Sequence, residues 1–251
     1  MPVRPRFPRG ANRSVSQPPA AKPYYHISLS SRNPALPYIA PFLAFVGIMA
    51  IEKATGLPAA WLYPIRVLVV TAVLLAVSRA PLAVPPSRFW WSAALGTAVF
   101  ALWIAPDVLF GPGYRHHWLF QNAVTGTAAS SIPADLKNST WFLLLRTASC
   151  ALLVPPVEEL FWRGWLMRWL INQEFLKVPL GAYAAGAFWF VALMFAAEHG
   201  PYWEVGLLTG IVYNWWMVRT RNLADCIVAH AVTNGLLSAY VLITGQLQYW
   251  L

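Results

Sequence analysis

Long apolar stretches run through this sequence from residue 36 to residue 244, and they decide what the chain can fold into. Several of them approach the roughly 20 residues that a helix needs to cross the hydrocarbon core of a bilayer. Only 11% of the residues are charged, against about 25% in soluble domains. These features exclude a water-soluble globule and predict an all-α fold, a polytopic transmembrane helix bundle.

Polar turns and prolines divide the apolar pattern into about seven or eight predicted spans. The number depends on Pro155-Pro156, which either kinks one helix or separates two. A less hydrophobic stretch, residues 107–140, is interpreted as an external loop. We expect a single membrane domain over residues 34–251, with spans at residues 36–51, 62–77, 89–104, 141–154, 157–171, 180–197, 202–218 and 224–244.

Residues 1–33 are basic and rich in proline, and no acidic residue precedes Glu52. Nucleic-acid binding is one interpretation of such a segment. The positive-inside rule explains it better, because the rest of the chain lies in lipid. We therefore expect a cytoplasmic tail, with an organelle transit peptide as the alternative. Cys150 and Cys226 lack CxxC spacing and predict neither a disulfide nor a zinc framework.

Ionisable side chains inside apolar segments mark a candidate site, because each costs about 2.5–3.5 kcal/mol at the centre of a spanning helix. Glu158 and Glu159 follow the two prolines directly. Glu159 and Arg163 are four residues apart, which predicts an ion pair on one helix face. Glu158 points about 100° away without an intrahelical partner, so we interpret it as a general base. The alternative is that both acids merely cap a helix.

Two further pairs have the same four-residue spacing. Phe195 and His199 place an aromatic ring beside an imidazole, and Glu198 is expected to turn away towards the membrane interface. His230 and Asn234 offer two hydrogen-bond donors from one helix face, which is what an oxyanion requires. Alone, the second pair is also typical of polar contacts that hold membrane helices together.

The three patterns follow one another in order as EExxxR, FxxxH and HxxxN. With them the sequence resembles the membrane-embedded CAAX proteases and bacteriocin-processing or immunity proteins, and among these the Ras-converting CAAX endopeptidases. The resemblance covers roughly residues 141–244. It implies an intramembrane catalytic cavity in which Glu158 and His199 activate water and His230 and Asn234 hold the oxyanion.

The same resemblance implies supporting roles for Glu159, Arg163 and Phe195, and glutamate-dependent chemistry without a cofactor or metal. It also implies a prenylated or membrane-anchored protein substrate. From the apolar composition we expect a multi-pass membrane protein that contacts membrane lipid and binds no nucleic acid. The compact length and the lack of a eukaryotic retention signal favour the prokaryotic inner membrane over the ER. From the residues alone a zinc site of Glu158, His199 and His230 remains an alternative. A non-catalytic immunity or scaffold protein and a small proton-coupled transporter are two more.

The histidines raise a topological conflict. His199 and Arg221 lie at opposite ends of the predicted span at residues 202–218, about 25 Å apart at 1.5 Å per residue. His230 follows Arg221 by only two to three turns. If the two histidines are to meet, we expect helices here that are tilted, short or re-entrant.

Overall fold

The computed structural model describes residues 33–111 and 113–250, and within these ranges the fold is entirely helical. The predicted all-α bundle is confirmed. The predicted basic tail lies outside the described residues, except for Asn33. Eight helices form the bundle: α1 (Leu36–Thr55), α2 (Ala59–Val77), α3 (Arg79–Leu82), α4 (Phe89–Phe110), α5 (Thr140–Trp169), α6 (Ala185–Ala197), α7 (Trp203–Thr220) and α8 (Leu223–Thr244).

Five of these helices, α1, α2, α4, α5 and α8, are long and apolar enough to cross a membrane. Large apolar side chains such as Trp61, Leu68 and Ile243 lie exposed on their outer faces, as expected for surfaces that contact lipid. The count is lower than the predicted seven or eight for two reasons. Helix α6 has only 13 residues, and α7 carries Glu204, Asn214 and Arg219 within its 18 residues.

The proline pair does not separate two helices, because the 30-residue helix α5 runs through it without a break. The helix widens to π-helical hydrogen bonding on both sides, at Ser149–Leu153 and Leu160–Leu166. Proline has no N–H to donate, so Pro155 and Pro156 cannot close the usual α-helical rungs. Local π-helical turns accommodate this loss and are frequent at functional sites.

Small residues bring the site-bearing helices unusually close together. On α7, Gly206 and Gly210 pack against α6, where a Cβ on Gly210 would lie 3.1 Å from the Cα of Ala192. On α4, a Cβ on Gly96 would lie 2.2 Å from the carbonyl oxygen of Ala229 in α8. Such close approach of backbones is the usual basis of helix association in membranes.

Polar contacts tie the two ends of the bundle. At one end the Nδ2 of Asn222 donates to the carbonyl of Pro85, and the backbone N–H of Arg88 donates to Asp225. This end carries Arg79, Arg88, Arg219 and Arg221.

At the opposite end the guanidinium of Arg115 bridges Asp107 at 2.9 Å and Glu204 at 2.7 Å. The hydroxyl of Tyr249 donates to the same oxygen of Asp107. These contacts hold Arg115 and Tyr249 against the ends of α4 and α7.

Candidate active site

The widened part of α5 carries Arg163, which is completely buried. Its Nη1 lies 3.1 Å from Oε1 of Glu159, the ion pair that the four-residue spacing predicts. Its Nε donates to Oδ1 of Asn214 at 2.9 Å, and its Nη2 donates to the carbonyl of Gly210. Because a buried charge is costly unless it is paired and hydrogen-bonded, these contacts fix Glu159 as a charged, immobile group.

Glu159 also orients His230 of α8. The Nδ1–H of His230 donates to Oε1 of Glu159 at 2.9 Å. A carboxylate can only accept, so Nδ1 carries the proton and Nε2 is the nitrogen left for chemistry. His230 is 4% exposed, and its ring lies 5.4 Å from the ring of Tyr213. The ring is therefore held on one edge and one face.

Glu158 faces the free edge of that imidazole. Its Oε2 lies 4.0 Å from Nε2 of His230. The same oxygen is buried and has no hydrogen-bond donor in the described part of the chain. The adjacent glutamates differ in their partners. Oε1 of Glu159 accepts from both Arg163 and His230. Oε2 of each glutamate is buried without a donor in the described part of the chain, and it is Oε2 of Glu158 that faces Nε2 of His230.

The two histidines meet across Phe195. The ring of Phe195 lies 4.7 Å from that of His199 and 6.2 Å from that of His230. His199 packs beside Gly206, inside the first turns of α7, and the ring of Phe195 spans the remaining distance to His230. The Nδ1–H of His199 donates to the carbonyl of Phe195 at 2.6 Å, and Trp103 packs against the ring at 5.3 Å. The Nε2 of His199 is then the ring nitrogen that can accept a hydrogen bond.

Asn234 has a structural contact that its sequence position did not predict. Its Nδ2 donates to the carbonyl of Cys150 at 3.0 Å. In the π-helical register the N–H of Val154 bonds to Ser149, not to Cys150. The next candidate donor is Pro155, which has no N–H, so the Cys150 carbonyl is left over and Asn234 satisfies it. One N–H of Asn234 is thereby used and the second remains for a ligand.

Sequence reasoning missed two residues on α7 that support the site. Asn214 connects Arg163 to the carbonyl of Phe188, and the Tyr213 hydroxyl donates to Thr233 on α8 at 2.8 Å. Asn214 could have been found from the sequence, because it is a polar amide within an apolar segment, and such residues in membrane helices usually have a function. Tyr213 had none, because an aromatic residue in a membrane helix is ordinary.

Glu198 is exposed, and its Oε1 accepts a hydrogen bond from Nε1 of Trp162 at 3.1 Å. Trp162 lies one turn after Glu158 on α5, and its ring packs edge-on against Phe195 at 6.3 Å. Glu198 therefore belongs to the rim of the site.

A catalytic zinc requires three protein ligands around one point. Within the described ranges no three His, Cys, Asp or Glu side chains lie close enough together to hold a metal ion. Nδ1 of His230 is engaged by Glu159 and Nδ1 of His199 by a carbonyl, which leaves Nε2 of each ring for a ligand.

Comparison with known proteins addresses the segment that contains this geometry. Residues 139–236 match the family model of the Rce1-like type II CAAX prenyl endopeptidases. The predicted resemblance is confirmed over this segment, which is less than half of the 251-residue chain. All the predicted site residues, from Glu158 to Asn234, lie within the Rce1-like segment. No curated protein and no solved structure matches the chain significantly.

Proposed function

We propose that this protein is an intramembrane endopeptidase that hydrolyses a peptide bond near the C-terminus of a lipidated or membrane-tethered protein. The observation that carries the proposal is the position of His230, with Glu159 behind it at 2.9 Å and Glu158 before it at 4.0 Å. The match to a family of prenyl endopeptidases supports it at the level of the reaction class.

The chemistry begins with a water molecule between Glu158 and His199. Oε2 of Glu158, which is buried without a partner in the described ranges, takes a proton from the water. At the same time the water oxygen attacks the carbonyl carbon of the peptide bond. Nε2 of His199 accepts a hydrogen bond from the same water and orients it. The carbonyl π bond becomes a negatively charged oxygen in the tetrahedral intermediate.

The oxyanion is held by His230 and Asn234. Nδ1 of His230 is already a donor to Glu159, so donation from Nε2 requires the doubly protonated ring, and the two adjacent carboxylates supply its counter-charge. The second N–H of Asn234 is the other donor. When the intermediate collapses, the C–N bond breaks and Glu158 returns its proton to the departing amine.

The substrate class rests on the family alone. We propose a prenylated or otherwise membrane-anchored polypeptide that enters the site from the bilayer, and location in a prokaryotic inner membrane. The alternatives are a scaffold or immunity protein with the same fold, a metal-dependent protease, and a transporter in which the buried acids relay protons.

One assay separates these alternatives. The purified full-length protein in detergent is given a farnesylated CAAX peptide or a membrane-anchored sorting peptide, each with and without a chelator. We expect cleavage that survives chelation and disappears in the Glu158→Ala variant. The matched control is Glu174→Ala, which removes an exposed loop glutamate that pairs with Lys177 and is expected to cleave normally.

Each alternative has its own result in this assay. A loss of cleavage with chelator that added zinc restores would establish the metal-dependent alternative. Folded wild-type protein that cleaves neither peptide favours the scaffold or the transporter. Proton flux in vesicles that falls in Glu158→Gln would then identify the transporter.

A further inference from the structure

Glu198 is a carboxylate at the end of a short apolar helix, where its desolvation in a membrane would be unfavourable. It follows the last residue of α6, where the neighbouring Leu193 and Met194 are exposed apolar side chains. Glu198 is itself exposed on this face. A carboxylate beside a lipid-facing surface is expensive, so it is expected to face a ligand, water or a polar partner.

The contact with Trp162 accounts for only one of its oxygens. Oε1 accepts from Nε1 of Trp162 at 3.1 Å, which joins the end of α6 to the helix of Glu158. Oε2 has no donor among the residues that the structure describes. Because the indole fixes Oε1, Oε2 is presented at the rim, next in sequence to His199.

The charges around this rim are unbalanced. Glu158, Glu159 and Glu198 contribute three carboxylates, and the electrostatic fields of the first two reach Glu198. Arg163 forms its ion pair with Glu159, and a doubly protonated His230 lies between Glu158 and Glu159, so the carboxylate of Glu198 has no cationic partner in the described ranges. In a poorly screened environment an acidic rim favours cationic ligands and disfavours anionic ones.

We propose that Glu198 is a specificity-determining residue that selects substrates with a lysine or arginine beside the scissile bond. The inference rests on the proposed peptidase function and names a feature of its substrate. Glu198 acts by pairing with the basic side chain through Oε2 while Trp162 holds Oε1. It takes no part in proton transfer.

The test uses three anchored peptides that are identical except for lysine, glutamine or glutamate next to the scissile bond. With the full-length protein we expect kcat/KM to favour lysine over glutamate by about tenfold or more, the size of one partly screened charge contact. In Glu198→Gln the amide oxygen still accepts from Trp162 but the charge is gone. We expect this variant to cleave the three peptides within about threefold of one another.

The control is Glu174→Gln, which removes a negative charge from an exposed loop and should keep the wild-type preference. Equal cleavage of the three peptides by the wild type, or an unchanged preference in Glu198→Gln, overturns the inference and leaves the peptidase intact. Failure of the wild type to cleave any peptide overturns the proposed function instead. In that case, peptide binding to Glu158→Gln, with and without Glu198→Gln, decides whether the rim selects lysine.

Discussion

Oε1 of Glu159 accepts hydrogen bonds from both His230 and Arg163, so one carboxylate oxygen joins α5 to α8 and holds the imidazole from behind. The neighbouring Glu158 accepts from neither of these residues, and its Oε2 lies 4.0 Å from the other ring nitrogen of His230. Glu159 therefore connects the helices, and we propose that Glu158 acts on the substrate.

Exchanging each glutamate for glutamine should give opposite results. Glu159→Gln leaves the buried guanidinium of Arg163 without its counter-ion, and breaking such a pair costs about 3–5 kcal/mol. We expect a clear fall in the unfolding temperature of this variant in detergent. Glu158→Gln removes a buried charge that has no donor, so its stability should stay equal or rise while cleavage is lost.

Both variants are measured against wild type in the same detergent, with thermal unfolding and peptide cleavage read from one preparation. A stable Glu159→Gln protein together with an unstable Glu158→Gln protein would reverse the assigned roles.

Asn234→Ala should weaken the fold as well as the reaction. It leaves the carbonyl of Cys150 without a donor inside the bundle, and an unsatisfied buried group costs about 1–3 kcal/mol. The comparison is Cys150→Ala, which keeps the backbone carbonyl and its bond to Asn234. Unfolding temperatures that fall equally in both variants would mean that the amide contact contributes little.

Gly96→Ala should disrupt the contact between α4 and α8. Its Cβ would lie 2.2 Å from the Ala229 carbonyl, closer than any real contact, so the helices must separate. Overpacking of this kind costs about 1–3 kcal/mol. In Gly47→Ala the added Cβ meets nothing within 4 Å, and the exchange in a helix interior should instead stabilise by about 0.5–1 kcal/mol. The ranking of the two unfolding temperatures is the measurement.

Gly206→Ala should impair cleavage more than stability. The new Cβ would lie 3.2 Å from the Cβ of His199 and 3.3 Å from the Cα of Ala196. His199 must shift by a few tenths of an ångström, and misplacement of a catalytic group lowers the rate steeply. Gly186→Ala, which lies on α6 in open space, is the control and should retain wild-type kcat. Unchanged kcat in Gly206→Ala would show that His199 tolerates displacement.

The sequence was sufficient for the helical class and for the ion pair of Glu159 and Arg163, because both follow from local periodicity. It was insufficient for the contact of Asn234 with Cys150, which depends on a hydrogen-bond register that prolines create elsewhere on another helix. It also gave no sign of the hydrogen bond from Trp162 to Glu198, which joins residues 36 positions apart, one on α5 and one at the end of α6.

The widened turns of α5 determine where this helix tolerates a change in length. Consecutive helical residues differ in direction by about 100°, and a π-helical turn absorbs one extra residue. Deleting a single residue within Ser149–Leu153 would therefore let this turn close to α-helical bonding and leave the residues after it pointing nearly as they do now. A deletion in the ordinary α-helical turns before it has no such reserve. It would rotate everything after it by that angle, and Glu159 would then point where Glu158 points now.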